Sequence, residues 1–388
     1  MKHAYSSSSL QNLYFIKEIK RWKQANVIDA AQSEAAIKQS PSDFYHPNIF
    51  IRVLLFIATL VGLGGLTGMF ALMFNDIKEE EIAGFLFLIY GLASFVFVEL
   101  IVIKNLKHFK SGVTEALVYH AGGFTGLGII LFFDLGLTSG LIISFLICSF
   151  IAFRYLDLIN TFIAFLILLY LVFNVIDDYF STITSLLPFI YFGLSLVLYL
   201  FVKYLQRLKT AFEFQYVWWL SESLSLISLY ASVNYLVVRE LSIALLGLPL
   251  QPGDDIPFAW LFYCLTILIP ILYLFFGLKK KDTVMYRISL LVLAFTVFTF
   301  KYYYSFNKPE ITLTISGIIL IIIGLFLFRW LRQPKYGFTT EELLKENWNS
   351  QLVQSVLASQ TLGGNKIPEK QFEGGGGTHS GGGSSGSF

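Results

Sequence analysis

Glu99, His120 and Glu222 are ionisable residues set inside apolar stretches, FVFVELIVI, ALVYHAGGF and WWLSESLSL. An ionisable group at mid-membrane costs about 2.5–3.5 kcal/mol or more, so each defaults to a candidate intramembrane site. The chemistry open to a carboxylate or imidazole in such a place is proton exchange near neutral pH. At about 1.5 Å of rise per residue, Glu99 lies about 6 Å from its span's inner end, Glu222 about 9 Å deep and His120 about 10 Å deep. Glu99 is expected to pair with a residue on the adjoining third span. His120 stands about 140° around its helix from Glu115, so the two form neither a metal pair nor a dyad on one helix. Whether His120 moves a proton or only donates a hydrogen bond is open at this point. Glu115, near the start of its span, is expected to reach the headgroup region or Lys110.

A second polar pattern accompanies Glu222. Ser221, Ser225, Ser228 and Ser232 recur at i, i+4, i+7 and i+11, which puts four hydroxyls on one narrow helix face. Such a face serves helix packing, bonds back to its own backbone, or lines a water-filled path. Gly122 and Gly126, with Gly64 and Gly68 on the first span, have the small-residue spacing that admits a second helix closely. Pro188 and Pro270 also fall in apolar runs, where proline can free backbone carbonyls.

These residues must be carried by membrane helices. Hydrophobic residues make up 55% of the 388, charged residues 14%, and the mean hydropathy is +0.66. That leaves too little charge to cover a soluble globule. Runs of roughly 20 apolar residues mark ten expected spans, at about 51–74, 82–103, 113–133, 137–153, 158–176, 183–202, 216–238, 256–277, 283–300 and 311–328. The fourth and fifth are separated only by residues 154–157, so a fused, re-entrant or kinked pair is the alternative there. With the first residues in the cytoplasm, 24 of the 28 Lys and Arg fall on the inner side, and only Lys78, Arg239, Lys301 and Lys308 on the outer. Basic flanks resist translocation, so this asymmetry predicts an inner-membrane protein with both ends cytoplasmic.

The fold class expected is therefore an all-α integral membrane protein of about ten transmembrane helices with short cytoplasmic helical ends. Its divisions are a helical hairpin over 1–49, a transmembrane domain over 50–332, an amphipathic helix over 333–362 and a disordered Gly/Ser-rich tail over 363–388. In the hairpin, Asp29 caps the second helix, with Gln32 placed to reach back. In the later helix, Thr339 and Glu342 form the capping pair, and Leu344, Trp348, Leu352 and Val356 make one stripe. The tail FEGGGGTHSGGGSSGSF cannot bury enough surface to offset ordering.

The segment KEIKRWKQANVIDAAQSEAAI, followed by the glycine-rich VLLFIATLVGLGGLTGMF, resembles the bacterial membrane proteins grouped as domain of unknown function 2157. The likeness rests on a Trp near the end of one short helix, the turn at Ile28 and Asp29, a Gln-containing second helix and the glycine-rich span. It implies a multi-span bacterial protein and carries no activity or catalytic residue with it.

A net charge of +2 gives no reason to expect a nucleic-acid partner. Cys148 and Cys264 sit alone in apolar runs, without the spacing of a disulfide framework or zinc site. No cleaved signal peptide is expected. The sequence has no Walker loop, dinucleotide fingerprint, HExxH run or Gly-x-Ser-x-Gly elbow, so neither enzymatic activity nor a cofactor or metal is expected. The partners expected are the lipid bilayer and cytoplasmic or membrane proteins. The leading expectation is an envelope-associated interaction or scaffold component. The competing one is a secondary transporter of a small solute, proton-coupled through Glu99, His120 and Glu222 and built from two inverted five-helix halves.

Overall fold

The computed structural model describes residues 3–24, 27–73, 79–208, 213–247 and 255–303, with scattered positions between 314 and 329. Two helices come first. Helix α1 is Ser7–Gln24 and α2 is Ala30–Gln39. Asp29 caps α2 as expected, its carboxylate accepting the Gln32 N–H at 2.6 Å while the Gln32 side chain accepts the Asp29 N–H at 3.1 Å. The chain divides into two compact units, residues 1–14 with 41–343 and residues 15–40 with 344–388, so the division falls within α1.

The larger unit is a helical bundle. Its helices are α3 (Ile49–Met73), α4 (Glu80–Phe97, extended by a π-helical stretch Val98–Asn105), α5 (Val113–Phe132), α6 (Leu137–Arg154) and α7 (Leu158–Tyr179). After a short 3-10 stretch, Ser181–Leu186, come α8 (Leu187–Leu205), α9 (Gln215–Ala231), α10 (Tyr235–Leu246), α11 (Ala259–Lys279) and α12 (Thr283–Tyr303). Apart from a single isolated bridge between Tyr45 and His108, the described residues of this unit pair through helices.

Eight of these helices are long and apolar enough to cross a bilayer, and α9 with α10 adds a ninth if the bent pair counts as one span. The tenth expected span, 311–328, lies largely outside the described residues, as do the helix expected within 333–362 and the tail 363–388. The fourth and fifth spans are separate helices. Leu156 turns the chain between them with a positive φ of 55°, and Asp157 starts α7 by accepting the Asn160 N–H at 2.7 Å.

The seventh span departs from expectation. A continuous helix over 216–238 is replaced by α9 and α10, which meet at a bend of 78°. Asn234 stands at the break, where its Oδ1 accepts the Val237 N–H at 3.2 Å and so begins a new helix. Pro188 is corrected too: it lies in the first turn of α8, where its missing N–H costs nothing.

Sequential helices pack most extensively on one another, α4 with α5, α6 with α7, α8 with α9 and α11 with α12. The closest of these approaches is made by Gly84 and Gly91 of α4 and Gly128 of α5. A Cβ on any of them would run into backbone of the facing helix, at Phe132, Thr125 and Leu88 respectively. The glycines singled out from sequence divide into two pairs. Gly122 and Gly126 accommodate side chains of α6, Ile151 and Ile147, while a Cβ at Gly64 or Gly68 would meet nothing within 4 Å. Small-residue spacing gives the capacity for close approach; only the path of the neighbouring helix decides whether it is used.

Two apolar cores result. One gathers Val98, Val102, Leu117, Val118, Ile151 and Tyr155 around α4, α5 and α6. The other gathers Leu226, Tyr230, Phe262, Ile269, Tyr273 and Val292 around α9, α11 and α12.

Candidate functional site

The densest polar constellation lies where α3, α5, α6 and α7 have one end in common. Glu115 stands three residues into α5 and is 9% exposed. Its Oε2 accepts the Gly112 N–H at 2.8 Å, satisfying one of the free donors at the helix start, and its Oε1 holds Arg52 of α3. Gly112 is required here twice over. Its φ is +91°, and a Cβ would collide with the Arg52 carbonyl. Glu115 thus joins two helices through Arg52, a partner other than the Lys110 the sequence suggested.

Asp157 caps α7 and also accepts the Tyr119 hydroxyl of α5 at 2.8 Å. Arg154, the last residue of α6, reaches the other way. Its Nε and Nη2 lie 2.8 and 2.7 Å from the two oxygens of Glu99, and the Tyr155 hydroxyl donates to Oε1 at 3.2 Å. Two parallel bonds from a planar guanidinium fix orientation as well as charge. Glu99 therefore pairs across to the fourth span's end, where the sequence suggested the third. It sits in the π-helical part of α4, whose wider turn carries it toward α6.

Residues His3 to Tyr5 enter this region. The Ala4 N–H donates to the Arg154 carbonyl at 2.8 Å, His3 Nε2 lies 2.7 Å from Glu213, and Tyr5 packs edge-on against Phe44 and Phe109. Tyr5 is 5% exposed. Burial first, and then the Glu115 charge, push its phenol well above the ordinary tyrosine value. The Tyr155 phenol is also raised, by burial and by Glu99. Between them is a cavity of about 10 Å³ edged by Tyr5, Lys110, Glu115, Tyr119, Tyr155 and Asp157. That is room for about one water, on a lining polar enough to hold it.

A second charge cluster joins α8, α9 and the turn before α12. Lys203 Nζ lies 2.7 Å from Glu222 Oε1 and 2.5 Å from Asp282 Oδ2. Gln206 donates to the other Glu222 oxygen at 2.7 Å. Glu222 is 1% exposed, so its charge depends on these partners. Asp282 is held independently, since its Oδ1 accepts the Val284 and Met285 N–H groups at 3.1 Å each at the start of α12.

The third polar group surrounds the α9–α10 break. Asn234 Nδ2 donates to the Tyr230 hydroxyl at 2.8 Å and to Thr299 at 3.0 Å, and the Tyr235 N–H donates to Thr266 at 3.0 Å. Pro270 lacks the N–H that would bond the Thr266 carbonyl, and Thr296 Oγ1 lies 3.2 Å from that oxygen.

His120 belongs to none of these groups. Its Nε2 lies 3.1 Å from the Thr67 hydroxyl of α3, with Tyr90 edge-on at 5.0 Å and Phe124 at 4.6 Å. Its Nδ1 is buried without a hydrogen-bond partner among the described residues. With the proton on Nε2, Nδ1 presents only a lone pair to the aromatic surround. The serine face is likewise divided. Ser225 bonds back to the Ser221 carbonyl at 2.7 Å and Ser232 to that of Leu229 at 2.8 Å, while Ser228 accepts from Ser195 of α8 at 2.8 Å.

Among the described residues, Glu99, His120 and Glu222 thus have no partner in common. The residues that complete the clusters around Glu99, Glu115 and Glu222, among them Arg52, Arg154, Asp157, Lys203, Asp282 and Tyr5, were not singled out from sequence. Their positions at span ends were a signal, because a charge there can turn inward to a neighbouring helix as readily as outward to water. Compared with family models, with curated proteins and with solved structures, the chain matches none.

Proposed function

We propose that this chain is a multi-span protein of the bacterial cytoplasmic membrane, with both ends inside, that works as an interaction or scaffold component of the cell envelope and not as an enzyme. The observation that carries this reading is the use made of charge. Glu99, Glu115 and Glu222 are each committed to a basic residue of another helix, so they brace the bundle. The cavity beside Glu115 has room for a water and not for a solute. The basic asymmetry between alternate loops supports the orientation. Reporter fusions after Asp178 and after Gln333 test it, and should signal from opposite sides of the membrane. Crosslinking in native membranes tests the scaffold role. If deletion of residues 15–40 or of 339–388 changes neither the recovered neighbours nor the cellular phenotype, that role is wrong.

A second reading, a secondary transporter, is favoured by the broken α9–α10 pair and the polar groups around it. Discontinuous helices near unwound backbone are a recurrent way to build solute and ion sites. A reconstituted solute screen with a trapped pH-sensitive dye tests this reading. For any solute found, unchanged proton flux in E99Q, H120Q and E222Q would remove these residues as coupling sites.

A further inference from the structure

The turn between α11 and α12 carries four basic residues that the bundle does not use. Within residues 277–290, GLKKKDTVMYRISL, the only acid is Asp282. It is turned inward, where its Oδ2 meets Lys203 and its Oδ1 accepts the Val284 and Met285 N–H groups. Lys279, Lys280, Lys281 and Arg287 are exposed, and none of the four meets a carboxylate among the described residues. The turn itself is tightly built. The Asp282 N–H donates to the Gly277 carbonyl at 2.8 Å and the Lys281 N–H to that of Leu278 at 3.2 Å, the paired bonds of a Schellman cap. Lys281 takes the left-handed position of that cap, at a φ of 52°, where glycine is usual. Beside it the two helices touch, since a Cβ on Gly277 would stand 2.9 Å from the Tyr286 nitrogen. Cap and contact together fix where the basic side chains leave the bundle.

What lies next to these residues along the helices decides the occupant. Lys279 Nζ is 5.6 Å from the centre of the Phe275 ring, and Lys280 Nζ is 5.5 Å from that of Phe276, each ring one turn earlier on α11. Both rings are exposed, as are Ile271 and Leu272 a turn before them, and Leu290 and Leu291 follow Arg287 in the same way on α12. Each basic group thus caps an exposed apolar wall. We propose that Lys279, Lys280, Lys281 and Arg287 hold the headgroup of an anionic phospholipid whose acyl chains lie along Ile271, Leu272, Phe275 and Phe276. The charges alone would suit any anion, but the wall beneath them suits only a ligand with an apolar tail attached to its negative head. Basic clusters at the ends of membrane helices attract anionic headgroups, and long basic side chains reach from an apolar face to the headgroup layer. The proposal rests on the reading that the chain is embedded in a membrane. It is independent of the scaffold role and of the side on which the turn lies.

The test uses the full chain in a neutral detergent, with native mass spectrometry counting bound dioleoyl phosphatidylglycerol or dioleoyl phosphatidylcholine. Phosphatidylglycerol should be retained in preference. K279Q/K280Q, which keeps most of each side-chain stem and removes two charges, should weaken that binding about 25-fold, at about fivefold per charge. K104Q/K107Q removes the same charge from the stretch between α4 and α5 and should leave the binding nearly unchanged. Unchanged melting of both variants confirms that the fold is intact. Equal retention of the two lipids overturns the proposal, as does an equal loss in both variants, which would mean attraction by net charge alone. Displacement of the lipid by millimolar inorganic phosphate also overturns it, by making the occupant a soluble anion. Release of the wild-type chain from native membranes by alkaline carbonate would remove the membrane reading and the lipid site with it, whereas a chain that stays in the membrane but shows no lipid preference removes the site alone.

Discussion

Arg154 and Glu99 meet in a two-point ion pair, Nε and Nη2 at 2.8 and 2.7 Å from the two carboxylate oxygens, joining the last residue of α6 to the π-helical end of α4. Because the guanidinium is planar and the pair half-buried, lysine cannot reproduce it. R154K should therefore lower the melting temperature of the detergent-solubilised protein, and E99Q should do so by a comparable amount, each on the order of 2 kcal/mol. In the double variant the losses should be less than additive. Additive losses would mean that the two residues act separately.

The glycines divide into two groups that alanine substitution separates. G84A, G91A and G128A place a methyl against facing backbone and should destabilise by about 1–3 kcal/mol or more. G64A and G68A meet open space and should be neutral or slightly stabilising, since alanine favours the helix by about 0.5–1 kcal/mol. Thermal melts of the five variants side by side check this.

Lys203 serves two carboxylates, of which Glu222 has no other charge partner among the described residues. K203M should cost about 3–5 kcal/mol by leaving a buried acid unpaired. K203M/E222L should recover most of that loss, because Asp282 keeps its bonds to the start of α12. Failure of the double variant to recover would show that the lysine acts mainly through Asp282.

Asn234 both begins α10 and ties it to α12. N234D preserves the acceptor for the Val237 N–H, whereas N234A removes it and leaves Tyr230 and Thr299 without their amide partner. N234A should destabilise by about 1–2 kcal/mol and increase hydrogen exchange across residues 232–238. N234D should show the smaller effect on exchange at the Val237 amide.

His108 lies outside the spans, between α4 and α5, bonded to Ser111 at 2.9 Å and paired with the strand-like turn at Tyr45. Burial lowers its pKa below the ordinary histidine value. A lowered folded pKa means that the unfolded chain binds the proton first as pH falls. The stability that His108 contributes is thus complete above about pH 6.5 and is lost as pH falls from there through the folded pKa. Exchange at the Tyr45 and Phe109 amides, corrected for intrinsic rates, should be faster at acid than at neutral pH in the wild type. H108F should flatten the difference.

The helical class, the bounds of most spans and the Asp29 cap were legible in the sequence, because each depends on nearest neighbours along the chain. Twenty apolar residues must form a helix in lipid whatever surrounds them, since no water is present to take their backbone bonds. A capping box closes within four residues. That Glu99, His120 and Glu222 would need partners was equally legible, from the cost of their burial.

Who those partners are was decided only by tertiary structure. Arg154 meets Glu99 across 55 positions, Arg52 meets Glu115 across 63, and Lys203 collects Asp282 from a distant turn. Gly64 and Gly84 have equal capacity for close packing, and only the path of α5 uses the second. Asn234 was visible as a polar residue on a helix face, but whether it continues that helix or caps a new one depends on the contacts of Asn234 with Thr299 and of Tyr235 with Thr266, which exist once α11 and α12 have packed on α9. Local rules specify which groups must be satisfied; the packed bundle specifies by what.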